Sequence, residues 1–156
     1  MLVKLYDLPP RSSLSLQTEN LAEKGIFIRT ALAPEKHIVV KWVQDNFNAH
    51  WASEVEKAYA NTPITCKIAE SKGELLGFAC YEATCKAFFG PTGVLESKRG
   101  QGIGKLLLLE ALWGLRDLGY AYGIIGAIGP AEFYAKQVGA TLIEQSTPGI
   151  YKGMLR

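Results

Sequence analysis

Three stretches of the sequence predict an α/β (α+β) fold, a mixed and mostly antiparallel sheet of about seven strands with helices on both faces. Residues 65–84 form two strand-like runs around Lys72-Gly73, a hairpin signal that makes neighbouring strands antiparallel. Residues 87–118 run from a strand through a glycine-rich turn into an apolar helix, and residues 34–59 repeat apolar side chains at helical spacing. With 156 residues, 48% hydrophobic and 21% charged, the chain can bury one core. It reads as a single domain over 1–156, of which 1–25 form an N-terminal extension.

The elements follow in order. Leu2 to Leu8 is a short strand, and Leu14 to Lys24 an amphipathic helix stopped by Gly25. Ile26 to Leu32 is the first core strand. Pro34 opens a helix with Ile38, Val39, Trp42, Val43 and Phe47 on one face, and a second passes through Trp51, Val55, Ala58 and Tyr59 before Pro63. Thr65 to Glu70 and Leu75 to Thr84 are the hairpin strands. Ala87 to Glu96 continues the sheet, but Gly90-Pro91 and Gly93 require it to bulge or to lose a neighbour, because proline donates nothing to a ladder. Lys105 to Leu118 is apolar nearly all round, as a helix packed on a sheet should be, and Gly119 stops it. Tyr120 to Ile128 is a strand, Pro130 to Val138 a helix, and Thr141 to Glu144 with Ile150 to Met154 a final strand pair.

Composition excludes several function classes. A net charge of +2 gives no electrostatic reason to expect nucleic acid. The N-terminal residues lack the basic, apolar and cleavage segments of an export signal, and the uncharged stretch from Gly119 to Ala131 falls short of the roughly 20 residues that cross a bilayer. A soluble, cytoplasmic protein without membrane partners is expected. Cys66, Cys80 and Cys85 suit neither a zinc site nor a disulfide framework and read as small buried residues in a reducing compartment, so no metal is expected.

The segment that carries chemistry is Gly93-Val94-Leu95-Glu96-Ser97-Lys98-Arg99-Gly100-Gln101-Gly102-Ile103-Gly104-Lys105, followed by four leucines. Alternate glycines leave the turn free of side chains, so backbone N–H groups and the positive end of the next helix can converge on an anion. Lys98, Arg99 and Lys105 add positive charge around it. A Walker A loop is excluded, because Arg99 stands where it needs a glycine and Leu106 where it needs Ser or Thr. The dinucleotide fingerprint fails as well, for want of its third glycine.

Arg99-Gly100-Gln101-Gly102-Ile103-Gly104 resembles the Arg/Gln-x-x-Gly-x-Gly/Ala acetyl-CoA signature of the GNAT superfamily of N-acetyltransferases. Gly129 to Ala140 resembles the family's second motif, a short helix that carries a tyrosine and ends at a glycine. The resemblance covers roughly Ile26 to Leu155. The tyrosine-to-glycine spacing is one residue longer than usual, and Ala127 stands where many members place a cofactor-contacting asparagine. The resemblance implies an enzyme that moves an acetyl group from acetyl-CoA directly to a primary amine of a small molecule or a protein, with the pantetheine arm lying where one strand splays from the next. It assigns cofactor contacts to Thr92, Gly93, Val94, Arg99, Gly100, Gln101, Gly102, Ile103, Gly104 and Lys105, with the backbone N–H of Val94 facing the thioester carbonyl.

The resemblance gives Tyr134 the role of protonating the CoA sulfur; the alternative is a core aromatic beside Phe133. Glu82 is the first candidate for the base and Glu96 the second, each also readable as an exposed strand-end carboxylate. The acceptor is expected to enter near His50, Trp51, Tyr59, Tyr81 and the 144–151 loop, with its identity open. A longer acyl donor would need space near Phe88 and Phe89. An acyl-CoA-binding sensor without turnover is the alternative function, and family members' habit of pairing allows a homodimer.

Overall fold

The computed structural model describes residues 1–155. A six-stranded sheet is built from β1 (Leu2–Lys4), β2 (Phe27–Thr30), β3 (Cys66–Ser71), β4 (Glu74–Tyr81), β5 (Phe88–Val94) and β6 (Tyr122–Ile125), in the order β1-β6-β5-β4-β3-β2. Every neighbouring pair is antiparallel except β5 and β6, which run parallel. The helices are α1 (Ser15–Ala22), α2 (Lys36–Asn46), α3 (Ala49–Tyr59), α4 (Ile103–Asp117) and α5 (Ala131–Val138). Parallel neighbours need a crossover, and α4 supplies it.

The β3–β4 hairpin turns where the sequence places it. Lys72 and Gly73 both have positive φ, 52° and 81°, the backbone that matches the right-handed twist of the flanking strands. β4 is the central strand, buried on both faces. Its Phe78 and Cys80 meet α2 and α3 in one cluster, with Val39, Val43, Val55 and Ala58, while Ala79 and Tyr81 meet α4 in the other. Gly114 lets α4 sit down on Tyr81, because a Cβ there would collide with the phenol ring. The lack of a polar face on α4 is thus explained: Leu106 to Leu109, Leu112 and Leu115 are all buried between the sheet, α1 and the N-terminal segment.

Two expectations are corrected. Thr141 makes one isolated antiparallel bridge to Leu2, and the later residues form a 3₁₀ turn at Gly149–Tyr151 in place of a final strand pair. Consequently the strands number six and not about seven. The reason is local: β1 already occupies the free edge of β6, Pro148 lacks an N–H, and Gly149 and Gly153 adopt φ of 59° and 78°. Residues 1–25, read from the sequence as an extension, are woven into the core. Val3, Leu5, Leu14 and Leu21 belong to the cluster under α4, and the Met1 amino group donates to the Ile125 carbonyl at 2.7 Å.

Candidate active site

β5 and β6 pair at only two positions, Phe88 with Ile124 and Phe89 with Ile125, and then part. The ladder between β4 and β5 fixes what the resulting wedge presents. Leu95 N–H donates to the Leu76 carbonyl at 2.9 Å, and groups on an antiparallel strand alternate in direction, so the N–H groups of Val94 and Thr92 point away from β4 toward the opening. The Thr92 hydroxyl donates to the Phe78 carbonyl, and Arg99 Nε donates to the Val94 carbonyl at 3.4 Å.

The glycine turn follows. Gly100 and Gly102 have φ of 77° and 90°, and nothing lies within 4 Å of where their Cβ atoms would be. Gly102 is the N-cap of α4 and offers no side-chain acceptor; the first helical bond runs from Leu106 N–H to the Gly102 carbonyl. Ile103, Gly104 and Lys105 therefore hold N–H groups that the helix cannot satisfy, at the positive end of a 15-residue helix. Lys98, Arg99 and Lys105 make no salt bridge among the described residues, which leaves their charge available to an anion. Gln101 is half-buried within the same turn.

A cleft of about 600 Å³ opens beside this turn, lined by Asn46, Phe47, Val94, Leu95, Glu96, Ser97 and Arg99. Its wall depends on Gly93, because the Phe47 ring lies where any side chain at 93 would project. Phe47 in turn packs against Trp42, Trp51 and Phe78.

Tyr134 is buried, its ring edge-on to Phe89 at 6.2 Å and to Phe133 at 5.2 Å between centroids. Burial pushes its phenol up from the ordinary value, so it stays protonated at neutral pH and has a proton to donate. Ala127 takes φ 44°, a conformation in which asparagine is more at home than alanine.

Glu82 sits elsewhere. It follows Tyr81, which faces Phe89 at the closed end of the wedge. It is also fully engaged: Lys86 Nζ donates to Oε2 at 2.6 Å, and the Ala87 N–H donates to Oε1. The carboxylate closes the turn between β4 and β5 and does not point into the opening. Glu96 lines the cleft but is exposed.

Among the expected acceptor residues, Tyr59 and Tyr81 are core, Trp51 belongs to the aromatic cluster under α3, and His50 is exposed. The α3 N-cap is Asn48, whose Oδ1 accepts from Trp51 N–H. Cys66 and Cys80 are buried as expected, whereas Cys85 is exposed in the turn after β4. The sequence reading missed Glu54 and Thr84. Glu54, half-buried on α3, accepts a hydrogen bond from the Thr84 hydroxyl; burial raises its carboxyl above the usual range, opposed by Thr84 and by nearby His50. Its signal was a carboxylate one turn from Trp51 and beside Val55, at the border of an apolar helix face.

The family model of the acetyltransferase (GNAT) family matches residues 31–140. The chain belongs to the GNAT family. Solved structures agree on this GNAT fold. A glucosamine N-acetyltransferase region of a fungal multi-domain GH3 β-N-acetylglucosaminidase superposes with a TM-score of 0.68 at 16% identity, covering 88% of this chain and 19% of that one. The present chain thus spans about a fifth of the fungal protein. A GNAT acetyltransferase from Brucella melitensis in complex with acetyl-CoA gives 0.56 at 22% identity, over 71% of this chain and 80% of that one. The GNAT N-acetyltransferase YhbS from Escherichia coli in complex with CoA gives 0.57 at 20% identity, over 71% and 66%. Comparison with curated protein sequences finds no match. Acyl transfer from a CoA-type cosubstrate is the chemistry of this family, and no helix among the described residues is long and apolar enough to cross a membrane.

Proposed function

We propose that the protein is an acetyl-CoA-dependent N-acetyltransferase that moves the acetyl group directly to a primary amine. The observation that carries this reading is the continuity of the wedge with the glycine turn: N–H groups of Thr92 and Val94 face the opening, and a few residues later those of Ile103, Gly104 and Lys105 face an anion-sized vacancy of side chains. One set suits an extended amide-bearing arm and the other a pyrophosphate. Gly100 and Gly102 leave the turn clear of side chains, and Arg99, Gln101 and Lys105 rim it.

The residues divide the reaction between them. Val94 N–H stabilises charge as it develops on the thioester oxygen, a fixed dipole that needs no reorganisation. Tyr134, protonated and shielded, supplies a proton to the departing sulfur; with a thiol pKa near 8.5 that donation is helpful and not indispensable. The harder step concerns the acceptor, since an alkylammonium with pKa near 10.4 outweighs its free amine about a thousandfold at pH 7, an obstacle of about 4 kcal/mol.

Calorimetric titration with acetyl-CoA, CoA, ATP and NAD tests the reading. Saturable binding of acetyl-CoA and CoA alone is expected, and Gly102→Asp should abolish it by placing bulk and negative charge in the turn. Binding that survives in this variant would reduce the turn to a helix entry. The engagement of Glu82 in its own turn favours a second reading, an acyl-CoA-binding module without turnover. CoA release in the presence of amines separates the two, because a sensor binds without consuming the thioester.

A further inference from the structure

The two faces of the wedge differ. Phe89 points to the α4 face, where it meets Tyr134, while Phe88 and Gly93 point to the α2/α3 face. Gly126 is the first residue past the β5–β6 pairing, and a Cβ there would lie 2.6 Å from the Tyr151 hydroxyl and 3.0 Å from the Phe88 ring. Tyr151 therefore stands at the mouth of the wedge on the face opposite Tyr134. Its hydroxyl neighbours Thr84, and the Thr84 hydroxyl donates to Glu54 Oε1.

Glu54 lacks what a half-buried carboxylate ordinarily has. It makes no salt bridge among the described residues, and Oε2 has no hydrogen-bonding partner there. The titratable groups around it are His50, one turn earlier on α3, Tyr151 from the C-terminal 3₁₀ turn, buried Cys80 on β4, and Cys85 in the loop of Thr84. A desolvated charge without a counter-ion is costly to the fold, so a cation supplied from outside would repair an imbalance already present. The surroundings are aromatic: Trp51 beside it on the helix, Phe88 and Tyr151 across the mouth.

We propose that Glu54, held by Thr84 beside Tyr151, receives the ammonium of the acceptor and takes its proton, and that the acceptor is a primary amine on an apolar body. This rests on the acetyltransferase reading above. The protons balance as follows. The ammonium gives one proton to Glu54 Oε2, the freed lone pair forms the C–N bond, and the C–S bond breaks as the sulfur takes a proton from Tyr134. The second nitrogen proton leaves to solvent, Tyr134 is reprotonated from solvent and Glu54 releases its proton to solvent, so the net products are the amide, the free thiol and one proton.

The test compares 2-phenylethylamine and hexylamine with the neutral alcohols 2-phenylethanol and hexanol, titrated by NMR into the protein saturated with CoA. The wild type should prefer ammonium over alcohol by about tenfold, and Glu54→Gln should bring the ratio to within about twofold, with its Kd for acetyl-CoA unchanged. With acetyl-CoA present, the same variant should lose about a hundredfold or more in kcat/KM for the amine. Absence of a charge preference in the wild type, or a preference that survives in Glu54→Gln, overturns the assignment and leaves acetyl-CoA binding intact. Failure of the wild type to bind acetyl-CoA would instead sink the acetyltransferase reading, and that titration is independent of the amine comparison.

Discussion

Burial raises both the phenol of Tyr134 and the carboxyl of Glu54, and each shift makes a prediction. Tyr134 is surrounded by aromatic carbon, which holds the phenol protonated. Tyr134→Phe keeps the ring and removes only the proton, so it should lower turnover by about ten- to ten-thousandfold while changing stability by under about 1 kcal/mol. Steady-state CoA release read beside a thermal melt checks both halves, and unchanged turnover would return Tyr134 to the core. As an anion Glu54 loses more to desolvation than Thr84 and His50 return to it. Its pKa is raised in the folded state, so the neutral form is the one folding favours: that stability is present below the unfolded pKa and is lost as pH rises through the folded one. Glu54→Gln should therefore melt above the wild type at pH 7, and the gap should close toward pH 4. His50, Tyr151, Cys80 and Cys85 are the other titratable groups facing this site, and His50 opposes the upward shift of Glu54. A variant that gains stability while losing kcat/KM is what a functional, unpartnered charge produces.

The elements show which parts of the site were legible. Periodicity placed α2, α3 and α4, and turn chemistry placed the β3–β4 hairpin, because those signals are local in the chain. The glycine turn was legible for the same reason: its function needs backbone freedom at fixed positions, which Gly100 and Gly102 provide at φ of 77° and 90°. Glu82 misled because a carboxylate at a strand end looks the same from sequence whether it faces an opening or folds back on its own turn. The register of β4 with β5, a contact between separate segments, decides between these. The role of Glu54 was hard to read for a related reason, since its partner Thr84 and its neighbour Tyr151 lie 30 and 97 residues away (84 − 54 and 151 − 54). Glu82→Ala should then act on stability: it strips the Ala87 N–H and Lys86 of their acceptor and should cost about 2–3 kcal/mol. Denaturant titration measures that loss; a stable variant with abolished kcat would make Glu82 the base after all. Gly93→Ala tests the cleft wall in the same way. The added methyl meets the Phe47 ring, so about 1–3 kcal/mol of overpacking and a weakened amine KM are expected together.

At the scale of the whole molecule, the site depends on a segment that the family's motifs do not reach. The match begins at residue 31, yet β1 supplies the outer neighbour of β6, and β6 is one wall of the wedge. The chain between β1 and α1 is fastened to the far side of α4: Trp113 Nε1 donates to the Pro9 carbonyl at 3.2 Å, and Arg11 lies over the Trp113 ring while pairing with Asp117. The helix whose N-terminus faces the glycine turn is thus clamped near its C-terminal end by Pro9 and Arg11. Val3 and Leu5 are completely buried, and truncating one such leucine costs about 2–5 kcal/mol, a large share of the 5–15 kcal/mol that holds an ordinary domain together. We expect Leu5→Ala to lower the melting temperature in a single cooperative transition. Deletion of residues 1–10 should leave β6 with an open edge, a protein that aggregates, and no acetyl-CoA binding by calorimetry. If the deleted form instead melted at the parental temperature and bound acetyl-CoA with the parental Kd, the first strand would be an attachment to a domain complete from residue 31, and the wedge would owe its shape to β5, β6 and α4 alone.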